Sequence, residues 1–165
     1  MKSKNIKNTA LAGVFTAIVF VLTAYLHIPI GNGYVHVGDA FIFLAASVLP
    51  LPYALFVGIG GAILADTLTG FAVWAPASLL IKGLTVLLFS SKRSKIVCRR
   101  NLTALLPSAI LCVGGYYLYE ALITASLVVP LQGVLWNTLQ SLCSGVVFVF
   151  VGLSCDKTKI KELLK

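Results

Sequence analysis

The chain has 165 residues and a mass of 17.6 kDa; 59% of its residues are hydrophobic, 11% are charged, mean hydropathy is +0.98 and the formal net charge is +8. Soluble domains are about half apolar and about a quarter charged, so this composition excludes a soluble globular domain, while long apolar runs broken by prolines and glycines exclude a disordered tail or a coiled coil. A small polytopic membrane protein remains, and its basic charge does not indicate nucleic acid, because the bases are clustered and carry no interleaved aromatics.

Every Lys and Arg except Lys82 falls in one of three groups: Lys2, Lys4 and Lys7; Lys92, Arg93, Lys95, Arg99 and Arg100; Lys157, Lys159, Lys161 and Lys165. Such groups beside apolar stretches are the positive-inside signal, with anionic headgroups of the bilayer as counterions. The first apolar stretch, Thr9 to Leu26, is too long for a signal-peptide core and shows no small-residue cleavage site, so it is expected to stay as the first span. Near its start Ala10, Gly13 and Ala17 form a small-residue pattern that lets a helix approach closely, from within the bundle or from another protein.

The segment His27 to Asp39, rich in glycine and polar groups, is expected outside. Non-helical backbone at membrane depth survives only against protein or a water-filled cavity, so it is a candidate lid or cavity wall, with an ordinary surface loop as the alternative. Ala40 to Ala65 carries no charge but is interrupted by Leu49-Pro50-Leu51-Pro52. A proline in a helix interior removes a donor and clashes with the preceding turn, so two helices are expected to meet there. The first of them, Asp39 to Leu49, covers only about 16 Å at about 1.5 Å per residue, half the bilayer core, and needs shielding by its neighbours. Gly58, Gly60, Gly61, Ala62 and Ala65 thin the next helix for internal packing. Further spans are expected at Trp74 to Phe89, Leu102 to Thr124 and Leu131 to Leu153. Six spans place all three basic groups on the cytoplasmic side. The expected fold is therefore all-α, one domain over residues 1–165: a six-helix bundle with a short second helix and both termini inside.

Ionisable residues within spans are costly and mark a site or a pairing. Asp66, Lys82 and Glu120 all fall in the middle or outer half of the bilayer. An Asp66–Lys82 ion pair between consecutive antiparallel helices is one reading, with Lys82 still within reach of a ligand; Glu120 has no obvious base. In the last span Asn137, Gln140, Ser141 and Ser144 share one stripe that must face protein or water. Tyr116 and Glu120 share a face, flanked by Tyr117 and Tyr119, and Trp74 and Trp136 lie near outer helix ends. Each aromatic has a headgroup-belt alternative and each amide an interhelical one. Their convergence on one side favours a site for a flat, polar heteroaromatic molecule, and Lys82→Ala or Glu120→Ala is expected to weaken ligand binding without unfolding the bundle. Cys98, Cys112, Cys143 and Cys155 have no metal-ligand spacing, and the chain has no phosphate loop.

The chain resembles, over nearly its whole length, the substrate-binding S components of energy-coupling factor (ECF) vitamin transporters. The resemblance rests on Gly33-Tyr-Val-His-Val-Gly-Asp39, Gly58-Ile-Gly-Gly-Ala-Ile-Leu-Ala-Asp66, Gly70-Phe-Ala-Val-Trp-Ala-Pro76 and Leu80-Ile-Lys-Gly83, and looks like the branch around riboflavin, hydroxymethylpyrimidine and pyridoxine S components. Ala10, Gly13 and Ala17 are similar to the family's alanine motif on the first helix. The resemblance implies a vitamin held between the first outside loop (Asn32, Tyr34, His36, Asp39) and the outer parts of helices four to six (Trp74, Lys82, Tyr116, Glu120, Trp136, Asn137, Gln140). It also implies docking through the first helix to a membrane-embedded coupling subunit with two cytoplasmic ATPases, delivery by toppling of the bundle, and a bacterial plasma-membrane location, with no metal or cofactor. A pyridoxine-like or pyrimidine-like ligand fits the resemblance and the side chains best; riboflavin, lipoate and other vitamins stay open. A proton-coupled carrier using Asp66 or Glu120 is the alternative. An intramembrane enzyme is disfavoured for want of a nucleophile and base at usable spacing.

Overall fold

A computed structural model describes residues 2–30 and 33–163 of the chain. In order the elements are α1 (Lys2–Ala24), β1 (His27–Ile30), β2 (Gly33–His36), α2 (Asp39–Val48), α3 (Leu51–Leu68), a single 3-10 turn (Ala72–Trp74), α4 (Ala75–Leu88), α5 (Arg99–Thr124), α6 (Leu131–Lys157) and α7 (Ile160–Leu163). Among the described residues four helices, α1, α3, α5 and α6, are long and apolar enough to cross a membrane, and two shorter apolar helices accompany them. The protein is an all-α membrane bundle with one small hairpin added.

The break at Leu49-Pro50 falls where the two prolines require it. Val48 ends α2, Leu49 and Pro50 are extended, and Pro52 sits in the first turn of α3, where its missing N–H has no helical partner to lose. Helices α1, α5 and α6 run past their apolar stretches into the basic flanks, because Lys and Arg are good helix formers whose stems lie along apolar surface while the charge reaches water.

The ten residues of α2 are the centre of the bundle, packed against α1, α3, α4 and α6. That surround answers the length problem: eight of its ten residues are buried, so the half-length helix is lined by protein at both faces. Around it Phe43 stacks on Phe89 at 4.8 Å, and Phe148 meets both edge-on at 6.1 and 5.6 Å, a plug filling the half of the bundle away from the hairpin. The thin face of α3 brings its neighbours close. A Cβ at Gly61 would stand 2.7 Å from a Val19 methyl, and one at Gly58 would stand 2.8 Å from a Val86 methyl. Ala10, Gly13 and Ala17 are different: all three are exposed, and nothing lies within 4 Å of a Cβ built on Gly13.

At the end carrying the basic loop, polar side chains tie irregular backbone to the helices. Asn101, fully buried, engages Ser47 Oγ at 3.0 Å and the Ile96 carbonyl at 2.9 Å through Nδ2, and accepts from the Ser90 N–H at 2.9 Å. Asp156 accepts from the N–H groups of Ile96 and Val97 at 2.8 and 2.9 Å. Lys161, expected from sequence to face anionic headgroups with the other bases of its group, is buried, and its Nζ donates to the Ser47 carbonyl at 2.6 Å, beside the C-terminal end of α2.

Candidate functional site

The opposite end is closed by the hairpin. His27 pairs with His36, Ile28 with Val35, Pro29 with Tyr34 and Ile30 with Gly33, an antiparallel register that leaves two residues between the strands. The segment expected as a lid or wall loop is thus a β-hairpin. Its sequence signal is the Gly31-Asn32 pair between β-branched and aromatic residues, of the type that joins tight hairpins. Asn32, expected to touch ligand, lies outside the described residues.

The hairpin is fastened at three points. Tyr34 donates its hydroxyl to Asp66 Oδ1 on α3, and its ring lies 4.7 Å from Phe71 and 4.8 Å from His27. The His36 N–H donates to Gln140 Oε1 on α6 at 3.1 Å. His36 Nδ1 accepts from the Gly38 N–H at 3.1 Å, with Thr23 Oγ1 of α1 at 3.4 Å. Burial pushes the His36 imidazole down to about 4, outweighing the Asp39 charge that favours its protonation, so it is neutral at physiological pH. Burial, and then the Asp66 carboxylate, raise the Tyr34 phenol, which stays a donor.

Below the hairpin lies a cavity of about 700 Å³, counted out through its open mouth. It is lined by Tyr34, His36, Trp74, Lys82, Tyr116, Glu120, Trp136, Asn137 and Gln140, all singled out in the sequence, and by Thr23, Val35, Ala62, Asp66, Ser78, Gln132 and Gly133. Trp74 packs edge-on to Tyr116 at 5.9 Å and forms an aromatic wall; Tyr116 Oη is 2.9 Å from Ser78 Oγ. Tyr117 and Tyr119 face elsewhere, donating to the carbonyls of Leu127 and Val73 at 3.0 and 2.6 Å. Seven lining residues were not on the expected ligand-contact set. Thr23, Val35, Ala62 and Gly133 give no chemical signal in a sequence, whereas Ser78 was readable as the residue one turn before Lys82 on the same helix face.

The floor differs from expectation in one decisive respect. Lys82 does not pair with Asp66. Its Nζ lies 2.7 Å from Asp39 Oδ1 and donates to Oδ2 at 2.9 Å, and it sits 5.3 Å from the centre of the Tyr116 ring. Gln140 Nε2 donates to the same Asp39 Oδ2 at 3.0 Å. Asp39 therefore lies beneath the cavity rather than on its wall, as the counterion of Lys82. The reason is topological: α2 is inserted at the bundle centre, so its first residue reaches α4 before α3 can offer Asp66. That position also sets a carboxylate at a helix N-terminus, where the dipole favours it.

The arrangement defines a membrane-embedded binding protein: a roofed cavity with polar and aromatic walls, above a neutralised ion pair, in an apolar helix bundle. The family model for the S component of the ECF-type riboflavin transporter matches residues 3–157, and the chain belongs to that family. It is accordingly a substrate-binding subunit of an ECF vitamin transporter, not an enzyme. No curated protein sequence matches the chain.

Proposed function

We propose that this subunit captures a small, flat, polar heteroaromatic vitamin or precursor from outside a bacterial plasma membrane, holding it in the cavity beneath the hairpin. The observation that carries the reading is that the aromatic wall of Trp74 and Tyr116 and the amides of Asn137 and Gln140 converge on one space closed by the hairpin. Aromatic faces stack on a planar ring, while the polar groups address its substituents. The enclosed floor favours a single-ring ligand such as a pyridoxine-like or hydroxymethylpyrimidine-like molecule. A second reading, riboflavin, is favoured by the name of the matching family.

In this reading six helices cross the membrane, with α2 and α4 completing the four long ones, and the three basic groups and both termini lie in the cytoplasm. The exposed Ala10, Gly13 and Ala17 of α1 are the docking strip for the coupling subunit, which in turn engages two cytoplasmic ATPases. The loaded bundle then topples, bringing its hairpin end toward the cytoplasm. Native mass spectrometry of protein purified from rich medium, with calorimetry across a vitamin panel, tests the capture step: one tightly held small heteroaromatic per chain is expected. The absence of both a bound molecule and a calorimetric response to any vitamin would overturn the proposal. Toppling is tested by trapping the complex and measuring helix tilts; helices upright throughout the cycle would contradict it.

A further inference from the structure

The cavity has an unbalanced set of polar atoms. Lys82 is the only cationic side chain among its described lining residues, and Asp39 engages it through both carboxylate oxygens, so it has little charge left for a ligand. Two further carboxylates line the same space. Asp66 is 4% exposed; Tyr34 serves its Oδ1, whereas Oδ2 has no hydrogen-bond partner. The adjacent Ser78 hydroxyl lies 2.9 Å from Tyr116 Oη. Glu120 is 7% exposed on α5, and its carboxylate makes no hydrogen bond or ion pair with any described residue. Its Oε2 is 3.5 Å from the position a Cβ on Gly133 would take, with Asn137 Nδ2 at 3.6 Å from that point, so the absent side chain of Gly133 leaves room at the carboxylate.

Buried carboxylates without partners are costly, and a molecule that brings hydrogen-bond donors and positive charge to them gains what a neutral acceptor-rich molecule cannot. A neutral oxo-substituted ring would set carbonyl oxygens beside an existing surplus of acceptors. A ring nitrogen that takes up a proton, or an exocyclic amino group, offers N–H donors to Asp66 Oδ2 and a favourable charge to Glu120. We infer that the cavity selects a nitrogen heterocycle bearing a basic nitrogen or amino group, and that Asp66 and Glu120 are the residues that read it. The inference rests on the vitamin-binding reading above and narrows it to donor-rich, basic ligands. It also gives Asp66 a role that the Asp39–Lys82 pairing leaves free.

The test uses the full chain in lipid nanodiscs and pairs of near-isosteric probes: 4-amino-5-hydroxymethyl-2-methylpyrimidine against its 4-oxo counterpart, and pyridoxine against its benzene-ring counterpart, which lacks the ring nitrogen, with riboflavin as the large neutral ring. Binding is read by calorimetry and by the fluorescence of Trp74 and Trp136. At least one compound carrying the basic nitrogen or amino group is expected to bind tenfold or more tighter than its partner and tighter than riboflavin. Asp66→Asn and Glu120→Gln are each expected to shrink that preference to threefold or less, and Asp66→Glu to keep part of it. Equal or tighter binding of the oxo, carbocyclic or flavin compound in every comparison overturns the inference but leaves a vitamin-binding subunit. So does a preference that survives both neutral substitutions. No binding by any probe overturns both readings. Should a neutral variant fail to fold, the probe pairs on the unaltered chain decide alone.

Discussion

Lys82 and Glu120 look alike in the sequence, as charges within apolar helices, and the structure separates them. Removing the Lys82 side chain strands Asp39 at the bundle centre, and breaking a buried pair in this way costs about 3–5 kcal/mol. Lys82→Ala is therefore expected to lower the melting temperature sharply, contrary to the expectation from sequence that the bundle would stay intact. Lys82→Met with Asp39→Asn should recover most of the loss, since neither charge is then left alone; a thermal double-mutant cycle measures the coupling. Glu120→Ala removes a group with no protein partner, so it should leave melting within about 1 kcal/mol of the parent and weaken ligand binding by about tenfold or more. His36 supplies a pH dependence. Its folded value of about 4 lies below the ordinary 6.5, so the unfolded chain takes up a proton that the folded chain refuses. Stability is full above about pH 6.5 and falls as the pH drops toward 4, by on the order of 3 kcal/mol. His36→Gln should flatten that part of the melting-temperature profile, which circular dichroism in detergent would follow.

Two helix faces with similar small residues have opposite meanings at the scale of elements. On α3, Gly61 lets the helix meet Val19 of α1 with no room for a methyl group, so Gly61→Ala should destabilise by about 1–3 kcal/mol through overpacking. On α1, Gly13 faces open space, and Gly13→Ala should leave stability unchanged or slightly raised, since alanine favours a helix over glycine. The bulkier Gly13→Leu is expected to leave ligand affinity unaltered while reducing co-purification with the coupling subunit, the signature of an external contact. Sequence could mark both patterns as small-residue faces, but not sort them, because which neighbour stands opposite is a property of the packed bundle. The proline break and the short helix were legible, since two prolines forbid a continuous helix and the residue count fixes its length. The hairpin left only the Gly31-Asn32 pair as a signal, and its strands were not legible. Four-residue strands carry little periodicity, and these are held by Tyr34, His36 and Gln140 acting across 32 and 104 residues of chain.

The whole molecule is divided along its length. One end holds a close-packed aromatic plug and the buried polar ties of Asn101, Asp156 and Lys161; the other holds the roofed cavity. In the proposed orientation the close-packed end faces the cytoplasm and the hollow end faces outside, the division a binding subunit of an ECF transporter requires. Single cysteines placed in a cysteine-free background should report this orientation: Lys4→Cys and Lys95→Cys labelled only from the cytoplasmic side, Ser126→Cys only from outside. Labelling of Lys4→Cys and Lys95→Cys from opposite sides would refute the six-span arrangement.

Composition alone determined that this chain lives in a bilayer, because so apolar a sequence has no soluble alternative, and the positions of its prolines and bases set the helix breaks and the expected sidedness. The identity of most polar groups at the cavity was also readable, since polar side chains on apolar helices have to face protein or water. Their partners were decided only by tertiary structure. Whether Lys82 neutralises Asp66 or Asp39 turns on where the ten-residue α2 sits among its neighbours, and an ion pair forms with whichever carboxylate the packing brings within 3 Å.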